Sequence, residues 1–578
     1  MKKLMFLFAA GMVAVSMSSC SDDDLFTIDS PFAGEQGGSM VMPGSSSTGS
    51  AGEGTSATAG SDNTDVYTDT DDDISGTSFD KTITVTFASG GASVSGDTGG
   101  IVSVDGNDVV VNNTGSEKIM YVLKGSASDG FFKLYSSKKQ AIKLSGLTLT
   151  NKNGAAINNQ SGKRTFVVVE GVNTISDGSD YSDEVESEDM KAAFFSEGQL
   201  IFSGSGTLTV NAQGKAGITS DDYIRFMDEN TTIKVNSSAG HAIRGKDAII
   251  VSAGNIEATA SAEMKKAFSS DSLVQVDGGV TVLKVTGNAA YDSEEKDVTG
   301  TAGIKADMLF IMNDGELTVT NTGKGGKGIS CDGPAYFKGG KVSVTTTGST
   351  YKYSSSLDSD PKGIKVDGDL FIAGGDISVK SSSSEGIEAK GAISITGGNT
   401  YSYASDDAIN SKYNLVIDGG VVYAHSTGND AVDANNNLIV NGGIVIAEGA
   451  GGAESGLDAA ERYAVEINGG TVISVGGRND GISNVKQACI SSSVRTNTWL
   501  AVYDDSKLLF AYKTPSTSNA STFIASSPSF KSGSSYTLKT GVSVNGQTGY
   551  YGVMYTDASV SGGSSSTVKA VTSFSRGF

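Results

Sequence analysis

The stretch from Gly303 to Ile482 repeats one pattern, and that repeat limits the chain to very few folds. One unit reads Gly363-Ile-Lys-Val-Asp-Gly-Asp-Leu-Phe-Ile-Ala-Gly-Gly-Asp-Ile-Ser-Val379. It returns as Gly386-Ile387 … Ile393-Ser-Ile395 … Gly397-Gly398, and again from Ala408 and Ala431. A small residue before Ile, Val, Leu or Phe recurs from 217 to 481, mostly every 22–25 residues, and Ala156 and Ala193 extend the series backwards. A fixed period in this range marks a repeat architecture. Each unit holds three short apolar runs of period two, separated by Gly pairs or Asp/Asn-Gly, which is the signature of strands. Three strands per repeat with no crossover helix leave one economical solution. Each repeat is a coil of a parallel β-helix, hydrogen-bonded to the next. The expected fold is therefore all-β, with about 13 coils, three short strands per coil and a β-rich C-terminal cap.

Period two assigns faces. With Ile364 inward, Val366 is inward while Lys365 and Asp367 point out. The inward column then reads Ser270, Ala306, Cys331, Val366, Ala389, Ser411 and Ala434, small or apolar throughout. Each buried Ile or Val contributes roughly 1.5–3 kcal/mol.

Charge narrows the function. A net charge of −22 over 578 residues argues against nucleic acid, whose phosphates need Lys and Arg. It suits a solubilised surface or one that collects cations. Three Cys make no disulfide framework. A thin solenoid core accommodates an apolar content of only 38%.

Residues 1–19 read as a targeting segment, with Lys2 and Lys3 before an apolar run, Leu4–Val15. Met17-Ser-Ser-Cys20 resembles a lipoprotein signal-peptidase site, with Cys20 lipidated and Met17 where Leu is usual. Ser21-Asp22-Asp23-Asp24 resembles a signal that exports lipoproteins to the outer face of the outer membrane. The lipid at Cys20 is then the only membrane attachment. Residues 20–78 are rich in Gly, Ser, Thr and Asp and read as a flexible tether. Alternation starts at Phe79, so 79–150 form an N-terminal cap and first coils, 151–490 the regular helix, and 491–578 a strand meander that caps it. Trp499 is expected as a plug over the last coil. A monomer is expected.

Two outward features carry candidate function. Aligned on the Gly pairs, Tyr401 and Tyr403 fall directly below Tyr423 and His425, a flat strip of the kind sugar rings pack against. Three longer coils insert Ser176–Met190, Asn288–Gly300 and Ser349–Pro361 at one phase, hence on one edge, carrying Tyr291, Tyr351 and Tyr353 among acids. Downstream of the strip, Asp406, Asp407, Asn429, Asp430, Glu454, Asn479 and Asp480 repeat oxygen ligands at one corner, which favours calcium. Ordinary Asp/Asn turns would place the same residues there.

The Tyr121…Gly125…Asp129-Gly130 lead-in, the Gly-Ile-x-x-Asp…Gly-Gly coils and the strand-rich tail together resemble the bacterial calcium-binding β-helix carbohydrate-binding domains, related in fold to pectate lyases. The resemblance covers roughly 80 to 560. It implies a right-handed helix, bound calcium, and a plant cell-wall polysaccharide such as a cellulose-like glucan or polygalacturonate. The expected function is thus polysaccharide binding without catalysis. A polysaccharide lyase is the alternative, with Lys305 or Lys365 as base, and a spacer or adhesin for a protein partner is the other. Lys305 lies among acids, which raise its pKa and suit a base poorly.

Overall fold

The computed structural model describes residues 70–478, 482, 485–516 and 519–572, which fall within one compact unit, Asn63–Phe578. Cys20, the leader and the tether up to residue 69 lie outside the described residues, as do Asn479 and Asp480.

The chain forms a parallel β-solenoid of about fifteen turns, with nearly no helix. The first strands of the repeats, such as Ile364–Val366, make a fifteen-stranded sheet running from Val102–Asp105 to Leu457–Ala459. Second strands such as Leu370–Ile372 and third strands such as Asp376–Ser381 make the other two faces. These two faces join because Gln140–Thr150 runs across their corner, pairing first with Thr165–Glu170 and then with Val172–Ser176. The turns exceed the expected 13 because the irregular lead-in pairs as full rungs. Asp108–Asn113 pairs with Phe131–Ser136, and Lys81–Phe87 with Ile119–Ala127, all parallel.

The register follows the repeat. Ser270, Ala306, Cys331, Val366, Ala389, Ser411 and Ala434 stack rung on rung and are buried. Corners need the second Gly of each pair. Gly398 has φ 75°, and a Cβ there would meet the Gly375 carbonyl oxygen at 2.6 Å. Among the described residues, no helix is long and apolar enough to cross a membrane.

Two features differ from expectation. Residues 70–76 are not loose tether. They form two 3-10 turns whose Asp72, only 2% exposed, meets Arg164 Nε at 2.9 Å, Arg225 Nη1 at 3.1 Å and the Tyr223 hydroxyl at 2.7 Å. A buried carboxylate is tolerated because it is paired this fully.

The cap also differs. Thr522–Ser526 pairs antiparallel with both Thr471–Gly476 and Cys489–Ser493, closing the end of the third sheet. Four further strands, Trp499–Asp504, Lys507–Lys513, Ser535–Tyr550 and Met554–Lys569, close a small barrel. Trp499 sits half-buried in that barrel, its ring 5.7 Å from Tyr555, and so is not the plug. The barrel packs sideways, because Ile446 and Ile473 on the outer face of the last coils join Phe510, Tyr512, Leu538 and Met554 in a second apolar core.

Candidate functional site: an aromatic cleft and an acidic corner

On the outer face of the third sheet, Ser343, Ser378, Tyr401, Tyr423 and Ile446 form one column. The Tyr401 and Tyr423 rings lie 5.3 Å apart, and Tyr403 stacks on His425 at 5.1 Å and 9°. The two aromatic pairs are therefore in the register that the Gly pairs predict.

The cap completes the site. Its long hairpin turns at Tyr550–Met554, and this turn lies over the strip. Tyr551, held at φ 51°, brings its ring to 5.7 Å from Tyr401 and 5.3 Å from Tyr423. Between sheet and turn runs a cleft of about 840 Å³, lined by Ser343, Ser378, Asn399 and the tyrosines 401, 423, 550 and 551. That volume lies within the ordinary range of ligand sites. Its two charged residues are engaged: Lys341 pairs with Glu316 at 2.8 Å, and Asp376 accepts from Asn399 at 2.7 Å. The interior thus offers aromatic faces, hydroxyls and an amide.

His425 is corrected from platform to support. Only 6% exposed, it places Nδ1 2.6 Å from Glu448 Oε2. The same carboxylate accepts from the Tyr423 hydroxyl at 2.9 Å and, through Oε1, from Tyr512 at 2.7 Å. Burial and this carboxylate push the Tyr423 pKa up, so the phenol stays a donor. Glu448 thereby ties the strip to the cap. Its sequence signal was a lone acid ending the apolar strand Ile444–Glu448.

The second and third inserted loops meet on one edge, each as a short hairpin. Ala290–Asp292 pairs with Asp297–Thr299, and Tyr351–Lys352 with Asp358–Ser359. Tyr291 and Tyr353 stack at 4.1 Å and 9°, with Tyr353 exposed and Tyr351 half-buried. In the first loop, Asp177 accepts from the Tyr181 hydroxyl at 2.7 Å and the Gln213 amide at 2.6 Å, so this acid shapes the loop.

At the corner the expected ligands separate. Asn429 donates to Asp406 at 2.8 Å, so these two form a side-chain ladder. Asp407 accepts from Asn410 at 2.7 Å and from the Asp430 amide at 3.1 Å. The carboxylates that converge are Asp430, Asp433 and Asp458, whose oxygens lie within 4.8 Å of one another. Burial, then the neighbouring carboxylates, push Asp407, Asp430 and Asp433 up to about 7. Asp433 and Asp458 are register partners on the first sheet's outer face. Glu454 and Arg478 line the adjoining hollow of about 560 Å³ with Asp430 and Asp458. An all-oxygen set of close carboxylates fits a hard divalent cation such as calcium.

The lysine candidates are ion-paired. Lys305 meets Asp307 at 2.9 Å and also Asp332. Burial pulls its pKa down, but these hydrogen bonds outweigh it and hold the ammonium above its usual value. Lys365 pairs with Asp367 at 2.7 Å and Lys390 with Glu388 at 2.6 Å, within strands and not across them. Burial lowers two other lysines, Lys266 and Lys327, to about 8, and both donate to main-chain carbonyls.

The carbohydrate-binding domain-containing protein family matches residues 105–408, more than half of the chain, and the chain belongs to that family. Carbohydrate is thus the partner at family level. None of the curated proteins matches the chain. Among solved structures, the polysaccharide lyase-like protein from C. thermocellum, a gadolinium derivative, matches at 21% identity and a TM-score of 0.35, over 44% of this chain and 96% of that one. Tyr401 lies inside the family-matched part, whereas Tyr423, Tyr550 and Tyr551 lie beyond it.

Proposed function

We propose that this chain holds polysaccharide in the cleft between Tyr401, Tyr423 and Tyr551 and does not cleave it. The observation that carries this reading is the convergence of three tyrosine rings, from two parts of the chain, around a cleft whose charged side chains are held by an ion pair and a hydrogen bond. Pyranose rings present C–H faces to aromatic rings and hydroxyls to Ser, Tyr and Asn. The ligand that fits is a plant cell-wall type of polysaccharide with little charge. The ion pairs at Lys305 and Lys365 favour binding over elimination chemistry.

Calcium belongs to the acidic corner, with Asp430, Asp433 and Asp458 as its carboxylate ligands. Its charge would relieve their repulsion, and it could bridge to the carboxylates of a pectin-like chain. This corner is the specific observation behind an acidic-glycan second reading. The leader pattern supports lipidation at Cys20 and display outside the outer membrane.

The test is retardation of the chain from residue 21 onward in native gels loaded with mixed-linkage β-glucan, xylan or polygalacturonate, with calcium or chelator. Retardation without loss of polymer length is expected. Unsaturated product absorbing in the ultraviolet would instead establish a lyase. For the anchor, Cys20→Ser should abolish lipid labelling and release the protein from membranes.

A further inference from the structure

The cleft has one open end along the solenoid axis and one closed end. Its floor spans four successive rungs, from Lys341–Ser343 through Asp376–Ser378 and Asn399–Tyr401 to Val421–Tyr423. That is about 14 Å, room for about three sugar residues laid along the axis.

On the next rung the two floor columns continue as Ile444 and Ile446. Ile446 is fully buried in the cap core with Tyr512 and Met554, and Ile444 packs against that core. Beyond Tyr423 the floor therefore runs under the cap. The Gly549–Val553 turn stands over the same end. In the other direction the columns continue as Glu316 and Thr318, then Val280 and Val282. Val280 is 39% exposed, so no cap covers the floor there.

We infer that the cleft receives the end of a glycan chain, not its middle. This rests on the binding reading proposed above. A chain entering from the Val280 side slides over Ser343 and Ser378, stacks its last rings on Tyr401 and Tyr423 beneath Tyr551, and stops against the cap. A ligand that continued past Tyr423 would have to displace Ile446 and Met554 from their core. The terminal sugar is then the one recognised, through the Tyr550 and Tyr551 turn that lies outside the family-matched part of the chain.

The experiment counts binding sites per gram of polymer, by calorimetric titration of the chain from residue 21 onward. Mixed-linkage β-glucan, xylan and polygalacturonate are each used intact and after partial endo-hydrolysis, which multiplies chain ends at constant mass. For whichever polymer binds, sites per gram should rise in proportion to the increase in ends, and affinity should level off at short oligosaccharides. Tyr551→Ala, at an exposed turn, should weaken binding severalfold while thermal unfolding stays unchanged. Sites per gram that follow mass and ignore ends would overturn end recognition while leaving polysaccharide binding standing. No binding to any of the three polymers would overturn both.

Discussion

The aromatic cleft and the acidic corner lie on neighbouring coils, yet they are built by opposite physics. The cleft gathers neutral groups, and its two charged side chains are engaged locally: Lys341 pairs with Glu316, and Asp376 accepts a hydrogen bond from Asn399. The corner buries like charges, and burial first and then their closeness raise their pKa. A stacked solenoid permits both, because each outward column is free to vary while inward columns must stay small or apolar. The cleft's charges are settled by their neighbours, whereas the corner holds close carboxylates whose mutual repulsion a proton or a cation would ease.

The largest expected effect breaks the link between the cleft and its cap. Glu448→Ala leaves two tyrosine hydroxyls and the His425 ring buried without their acceptor, at a cost of about 3 kcal/mol. Denaturant titration should register the loss, and glycan retardation should fall with it. Glu448→Gln keeps an acceptor and should lose less. If Glu448→Ala left stability and binding untouched, the cap would not depend on this junction.

The next effect separates the two regions. Tyr401→Ala removes one sugar platform but no hydrogen bond of the Glu448 network. It should cost about 1 kcal/mol of binding, near fivefold in affinity, with the fold intact. Asp433→Asn should leave sugar affinity for a neutral glucan unchanged and remove the calcium response. Equal effects of both variants on both readouts would merge the regions into one site.

The pH dependence follows from the corner. Asp407, Asp430 and Asp433 have folded values of about 7 against an ordinary 3.8. The folded state therefore binds more protons than the unfolded state between those values. Their contribution is greatest at low pH and is lost as pH rises through 7. Calcium should restore it, so the rise in Tm on adding calcium should be larger at pH 8 than at pH 5. A rise of equal size at both would place the metal elsewhere.

The smallest effect concerns the loop dyad. Tyr353→Ala removes an exposed ring from Tyr291 and should change stability by less than about 0.5 kcal/mol. Retardation should persist. Its disappearance would move the glycan from the cleft to the loop edge.

How much of this was legible follows from the range of each signal. The repeat fixes rung-to-rung neighbours, so Tyr401 over Tyr423, Tyr403 over His425 and the whole inward column could be read by alignment alone. What depends on how the chain folds back could not. Tyr551 comes from the cap, whose sideways docking rests on Ile446 and Ile473 facing outward, and those residues read as ordinary strand positions. Asp433 and Asp458 join Asp430 across a bend between two faces, and periodicity assigns a face but not the angle between faces. Asp72 lay in a stretch whose composition signals a tether, and its partners Arg164 and Arg225 are far along the chain. Glu448 was visible as an isolated acid one rung from His425, but its third partner, Tyr512, required the cap to be placed.

The most direct test is a crystal structure of the chain with a short oligosaccharide of whichever polymer retards it. Sugar rings are expected against Tyr401 and Tyr423, beneath Tyr551, with the terminal residue against the cap. Density for the oligosaccharide on the Tyr291–Tyr353 dyad, with the cleft empty, would contradict it.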